Sequence, residues 1–192
     1  MPVTSWWWVR HGPTHARNMV GWRDLPADLS DTAAIRRLSD HLPSDAAVIS
    51  SDLIRAVDTA TALQGQRPRL PHDRNLREFD FGLWDGMHWS DMSARDPELA
   101  RRFWEEPGDV AAPEGESWNQ LATRVSGVVA QLNGQHRHII AVAHFGVILT
   151  QIAMAGRMTP YQALSHKIDN LSATRLDWDG GGWSVSAINH LP

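Results

Sequence analysis

The sequence predicts an α/β protein built on a largely parallel sheet. Short apolar runs of strand length recur at residues 5–9, 46–50 and 138–143. Segments with apolar residues at helical spacing lie between and after them, the pattern of a sheet covered by helices. The chain has 192 residues, 42% of them hydrophobic and 21% charged, enough to bury a core and ordinary for a globular protein.

Each element has a local reason. Ser5-Trp6-Trp7-Trp8-Val9 reads as a buried strand ending at Arg10-His11-Gly12-Pro13. Strand side chains alternate, so the three tryptophans should divide between the two faces of the sheet. A helix is expected over 31–41 and a strand over 46–50. A helix follows over 53–63, with Leu53, Ala56, Val57, Ala60 and Leu63 on one face and Ser51 or Asp52 as its cap. A weak strand is expected at 69–72 and a helix at 97–105. Residues 117–132 form the strongest helix, opened by a Ser117/Gln120 capping box and stopped by Asn133-Gly134. A third buried strand covers 138–143, followed by a helix over 145–155. Two strands, 172–178 and 183–188, flank the turn Asp179-Gly180-Gly181-Gly182.

Composition narrows the function. There is no cysteine, which excludes disulfides, thiol catalysis and Cys-ligated zinc. A net charge of -4 is a poor match to nucleic-acid binding. No apolar run approaches the ~18 residues of a membrane span, and residues 1–9 carry no basic leader region. A cytoplasmic protein of one domain, 1–192, is expected, with a homodimer as the default for a soluble enzyme. The pairs His136/His138 and His11/His15 lack neighbouring carboxylates at ligand spacing, so neither metal nor cofactor is expected.

In a parallel sheet, ligands bind beyond the carboxyl ends of the strands. Arg10, His11 and Gly12 follow the first strand, Ser50-Ser51-Asp52 and Arg55 the second, and His144-Phe145-Gly146 the third. Two arginines can clamp a phosphoryl group, and the helix opening at Phe145 can offer it amide donors. One histidine can attack phosphorus while the other donates to an equatorial oxygen. The departing alkoxide needs a proton, for which Glu78, among apolar neighbours, is the first candidate and Asp80 the second. Gly12 and Gly146 are expected to let backbone approach the ligand.

These segments resemble the histidine phosphatase superfamily, also called phosphoglycerate mutase-like. Its signature is matched by Arg10-His11-Gly12-Pro13-Thr14 and its second arginine motif by Ser50-Ser51-Asp52-Leu53-Ile54-Arg55. Its acid motif is matched by Leu76-Arg77-Glu78-Phe79-Asp80-Phe81-Gly82, the loop before its long helix by Pro113-Glu114-Gly115-Glu116-Ser117, and its second histidine by Val142-Ala143-His144-Phe145-Gly146. The resemblance runs in order over about three-quarters of the chain. It implies a three-layer α/β/α sandwich and a phosphohistidine on His11. Arg10, Arg55, Thr14, Phe145 and His144 would complete the phosphate pocket, with Glu78 as proton donor. The branch resembled includes α-ribazole phosphatase and broad-specificity sugar phosphatases.

Two departures stand out. The position where the family carries asparagine holds Arg17, and asparagine follows at Asn18; either the loop bulges to bring Asn18 to the phosphate or Arg17 takes its place, with Asn18 the candidate ligand. The next stretch, Asp24-Leu25-Pro26, only partly matches the family, and Gly21, Trp22 and Trp84 are the rim candidates. Residues 84–116 are expected to form a lid that sets specificity. Trp84, Trp89 and Trp104 lie there, with substrate stacking or lid packing as their alternative roles. The function expected is metal-independent hydrolysis of a small phosphorylated metabolite. The alternatives are a phosphoglycerate mutase and a phosphate-binding regulatory module. Mutases of the family carry a basic insertion after the acid motif, where this chain has only Arg95, Arg101 and Arg102 among acidic residues.

Overall fold

The computed structural model describes residues 3–192; positions 1 and 2, which the readings of segment 1–9 and of the domain 1–192 include, lie outside the described residues. The elements run β1 (Thr4–Arg10), α1 (Thr32–His41), β2 (Ala47–Ser50), α2 (Ile54–Gln64), α3 (Trp89–Arg95), α4 (Pro97–Glu105), α5 (Trp118–Leu132), β3 (His138–Ala143), α6 (Phe145–Gly156), α7 (Pro160–Ala163), β4 (Ala173–Trp178) and β5 (Trp183–His190). The five strands form one sheet in the order β2-β3-β1-β4-β5. β2, β3 and β1 are parallel, and β4 pairs antiparallel with both β1 and β5, so four strands share one direction.

Trp6 and Trp8 point to one face, their rings stacked 5.2 Å apart, in a core shared with α5 and α6. Trp7 points to the other face, against α1, with the Arg175 guanidinium 5.1 Å above its ring. Val9, Val48, Ile140 and Val142 meet Leu38 of α1 and Ala56, Ala60 and Leu63 of α2 on that face. These two cores make the three layers.

Ser117 and Gln120 form the expected capping box of α5. Four local expectations are corrected. α2 begins at Ile54 with no cap from Ser51 or Asp52; its first amide donates instead to Asp24 at 2.7 Å, while Asp52 pairs with Arg77. Residues 69–72 contribute one bridge, Val48 to Arg69, rather than a strand. The short helices α3 and α7, too brief to show apolar periodicity, were not expected. β5 runs two residues beyond the expected end.

The register of the parallel strands sets the position of everything that follows. Arg10 lies opposite Ala143, and Ser50 opposite Val142. The chain therefore leaves all three strands at nearly the same level, so His11, Ser51 and His144 emerge side by side. Backbone bonds extend the ladders one step further, from the His11 amide to Ala143 O (3.1 Å) and from the Ser51 amide to Val142 O (3.2 Å).

Trp6 is fully buried beneath this ledge and its indole N–H donates to Asn133 at 2.8 Å. Replacing it with alanine leaves a large cavity and is expected to cost about 3–5 kcal/mol. Urea denaturation measures this, and a loss below about 1 kcal/mol would show the ledge stands without it.

Candidate active site

A cavity of about 220 Å³ opens at the strand ends, lined by Arg10, His11, Thr14, Ala16, Asn18, Met19, Val20, Arg55, Glu78, Phe81 and Phe145. Seven of the eight residues expected on grounds of catalysis or phosphate binding thus line one cavity. The eighth, His144, sits fully buried directly behind it, its ring 5.1 Å from that of His11.

His11 is held in one tautomer. Its Nδ1 lies 2.6 Å from the carbonyl oxygen of Gly12, which can only accept, so Nδ1 carries the proton. Its Nε2 accepts from Arg55 Nε–H at 3.2 Å. Burial, with the Arg55 charge beside it, lowers the His11 pKa to about 3. The ring is neutral with a lone pair on Nε2, the form a nucleophile needs. Its backbone is fixed as well: Asn170 Nδ2 donates to His11 O at 2.7 Å, and the Gly12 amide donates to Thr59 Oγ1 at 2.9 Å.

Arg55 is buried yet has no carboxylate partner among its hydrogen bonds. Its guanidinium donates to His11, to Arg23 O (2.8 Å) and to Gly21 O (2.7 Å). The 21–23 loop is held in turn by Asp85, whose carboxylate accepts from the amides of Gly21 (3.0 Å) and Arg23 (2.9 Å). Arg10 donates to Ile168 O at 2.6 Å and lies 5.5 Å over the Phe145 ring, while its buried Nε has no partner. Both arginines thus bring positive charge and spare donors to the cavity.

Glu78 is buried, and desolvation raises its pKa against the opposing pull of the Phe79 and Gly146 amides and the charges of Arg55 and Arg10. Its Oε1 accepts from Phe79 N (3.0 Å) and Gly146 N (2.9 Å). This corrects two expectations. The α6 amide of Gly146 serves Glu78 rather than standing free for an anion. Gly146 lacks a side chain to make room for the acid, since a Cβ there would come within 2.5 Å of Glu78 Oε1 and of the Phe79 ring.

His144 Nε2 lies 2.7 Å from Ser51 Oγ, while its Nδ1 is buried with no partner. Burial, reinforced by Arg55 and His11, holds its pKa well below the ordinary value.

Asn18, not Arg17, lines the cavity, and its Nδ2 donates to Gly86 O at 2.9 Å. The rim expectations are corrected. Trp84 is fully buried, with its ring edge-on to Phe103 at 5.4 Å and its N–H donated to Asp96. Gly21 packs under the backbone of Phe79 and contributes its carbonyl to Arg55. Trp22 donates to Glu78 O at 2.8 Å beneath the Arg77 guanidinium, so it steadies the acid loop rather than the rim.

Sequence reasoning missed Arg124. From α5 it donates to the carbonyls of Asn75, Arg77 and Glu78 (2.7–2.8 Å) and pairs with Glu116 at 2.5 Å. Glu116 in turn accepts from the Asp80 amide at 2.9 Å. Together they clamp the loop that carries Glu78, a role that no local pattern in the sequence signals.

The sequence profile of the histidine phosphatase superfamily (branch 1) matches residues 6–191. The chain belongs to that superfamily. The mycobacterial "Bifunctional protein Rv2228c" (Mycobacterium tuberculosis) is 38% identical over 109 residues, 56% of this chain and 28% of that protein. Two Arabidopsis thaliana relatives are each 30% identical over 95% of this chain. "Metal-independent phosphoserine phosphatase" is covered over 81% of its length and "Phosphoglycerate mutase-like protein 4" over 85%. Among solved structures, Bacillus stearothermophilus YhfR superimposes with a TM-score of 0.87 at 27% identity, over 98% of both chains. Among the described residues no helix is long and apolar enough to cross a membrane.

His11 and His144 bind fewer protons folded than unfolded below pH 6.5, the ordinary histidine value. Their contribution to stability is full above that pH and drains as pH falls. With its pKa moved from 6.5 to about 3, His11 alone is expected to remove about 2 kcal/mol at pH 5. Urea midpoints at pH 7 and pH 5 measure the fall, which should be shallower in His11→Asn. Equal slopes would show that His11 titrates normally.

Proposed function

We propose that the protein is a metal-independent phosphomonoesterase that hydrolyses a small phosphorylated metabolite through a phosphohistidine. The observation that carries this reading is the tautomer of His11: with Nδ1–H committed to Gly12, the ring's lone pair is on Nε2 at the cavity, where it is held by Arg55 Nε–H until a phosphoryl group draws that arginine to its own oxygens.

The ester's phosphoryl group enters against Arg10, Arg55 and Asn18, with His144 donating from behind. His11 Nε2 attacks phosphorus in line with the leaving oxygen, so the N–P bond forms as the P–O bond breaks. Glu78, kept protonated by burial, gives its proton to the departing alkoxide, which leaves as the alcohol. Water then attacks phosphorus from the vacated side, with Glu78 carboxylate taking its proton. The N–P bond breaks, and the products are phosphate, neutral His11 and protonated Glu78. Residues 84–116 act as the specificity segment over this site.

Hydrolysis is favoured over mutase chemistry by the basic residues of that segment. Arg95 pairs with Asp96 (3.4 Å), Arg101 with three glutamates and Arg102 with Glu106 (3.4 Å). Their charge is matched internally rather than offered to a second anionic group.

Phosphate release from a panel of metabolite esters should fall by roughly three orders of magnitude or more in His11→Ala, and acid quenching of wild type should trap an acid-labile phosphoenzyme absent from the variant. Wild-type turnover by His11→Ala would overturn the mechanism. For Glu78→Gln, alkyl phosphates should slow by about 10²–10⁴-fold, while p-nitrophenyl phosphate, whose leaving group needs little protonation, should be nearly spared. The alkaline fall in kcat/KM on alkyl esters, which marks loss of the Glu78 proton, should vanish with it. Equal losses on both esters would remove Glu78 from the role of acid.

A further inference from the structure

A second concavity, of about 430 Å³, lies beside the phosphate pocket on α3 and α4. Its walls are mainly apolar: Met19, Trp89, Met92, Pro97, Ala100 and Trp104. Met19 lines both cavities, so the two are neighbours across that side chain. Trp89 is 65% exposed, a large ring with little cover from the fold. Trp104 is half-buried against Phe103, the ring centroids 4.9 Å apart. The charge at the margin is already answered: Arg101 is bonded to Glu98, Glu105 and Glu106 within 3.1 Å.

We propose that this groove receives the alcohol portion of the substrate, and that this portion is apolar and uncharged, with an aromatic ring the best fit. The inference rests on the phosphomonoesterase reading and gives it a substrate class. The phosphoryl group is fixed among Arg10, His11 and Arg55, and the rest of the ester extends past Met19. The unbranched methionine side chain can shift to accommodate it. Ahead lie two indole faces, which favour a ring through area and offset stacking. A carboxylate or second phosphate would meet an arginine already matched by three glutamates and would give up its hydration without a partner. Esters of apolar alcohols are therefore preferred over those of hydroxy acids.

The test compares three esters whose leaving groups are all alkoxides: 3-phenylpropyl phosphate, propyl phosphate and 3-phosphoglycerate. The expected kcat/KM for the phenylpropyl ester exceeds that for each of the others by about ten-fold or more. In Trp89→Ala, an exposed substitution that should not disturb folding, the phenylpropyl-to-propyl ratio should fall toward one, and Trp89→Phe should keep most of it. Equal efficiency on the three esters, or an unchanged ratio in Trp89→Ala, overturns the inference and leaves the hydrolase reading standing. No phosphate release from any ester overturns both.

Discussion

The structure depends on one constraint: the in-register parallel pairing of β1 with β3 and of β3 with β2. Because Arg10 faces Ala143 and Ser50 faces Val142, the chain leaves all three strands at one level. A shift of one residue in either ladder would exchange the side chains that a strand presents to the two cores. It would also separate His11 from His144. The hydrophobic effect therefore sets the geometry of the polar site: Trp6 and Trp8 on one face and Val9 on the other leave the register no freedom.

On that ledge several ionisable groups are withdrawn from water, and each is handled differently. Arg55 is satisfied mainly by backbone carbonyls, so its charge is not cancelled by an ion pair and remains available to a phosphoryl group. Glu78 is answered by two amides, yet burial still favours its protonated form. The two histidines give up their protons. A cavity with two fixed positive charges, neutral imidazoles and a carboxyl group biased toward its protonated form suits the phosphatase reading, and the fold holds these groups in place.

Much of this was legible in the sequence, because strand ends and apolar periodicity are local signals. The three buried strands, the α5 capping box and the clustering of Arg10, His11, Arg55, Glu78 and His144 all follow from short stretches of chain. What escaped was long-range. Asp24 caps α2 from another loop, Arg124 reaches from α5 to the acid loop, and Gly146 is a glycine because of Glu78, sixty-eight residues away. Trp84 reads as a rim residue because it opens the segment expected to cover the site; only the packing of α4 shows that Phe103 covers it. Asn18 could be separated from Arg17 only by seeing which side chain the loop turns inward.

The loop after β1 and the 84–116 segment share a small piece of backbone ladder. Met19 N donates to Met87 O at 3.0 Å, Gly86 N donates to Met19 O at 2.9 Å, and Asn18 reaches the same glycine. Loop exchange between relatives is a common way to move specificity from one scaffold to another, and here that seam decides where a graft must be cut. A transplanted 84–116 segment that does not rebuild the pairing with residue 19 would carry its own groove but leave Asn18 unanchored at the cavity. The practical unit of inheritance is the 84–116 segment together with residues 18 and 19, not that segment alone.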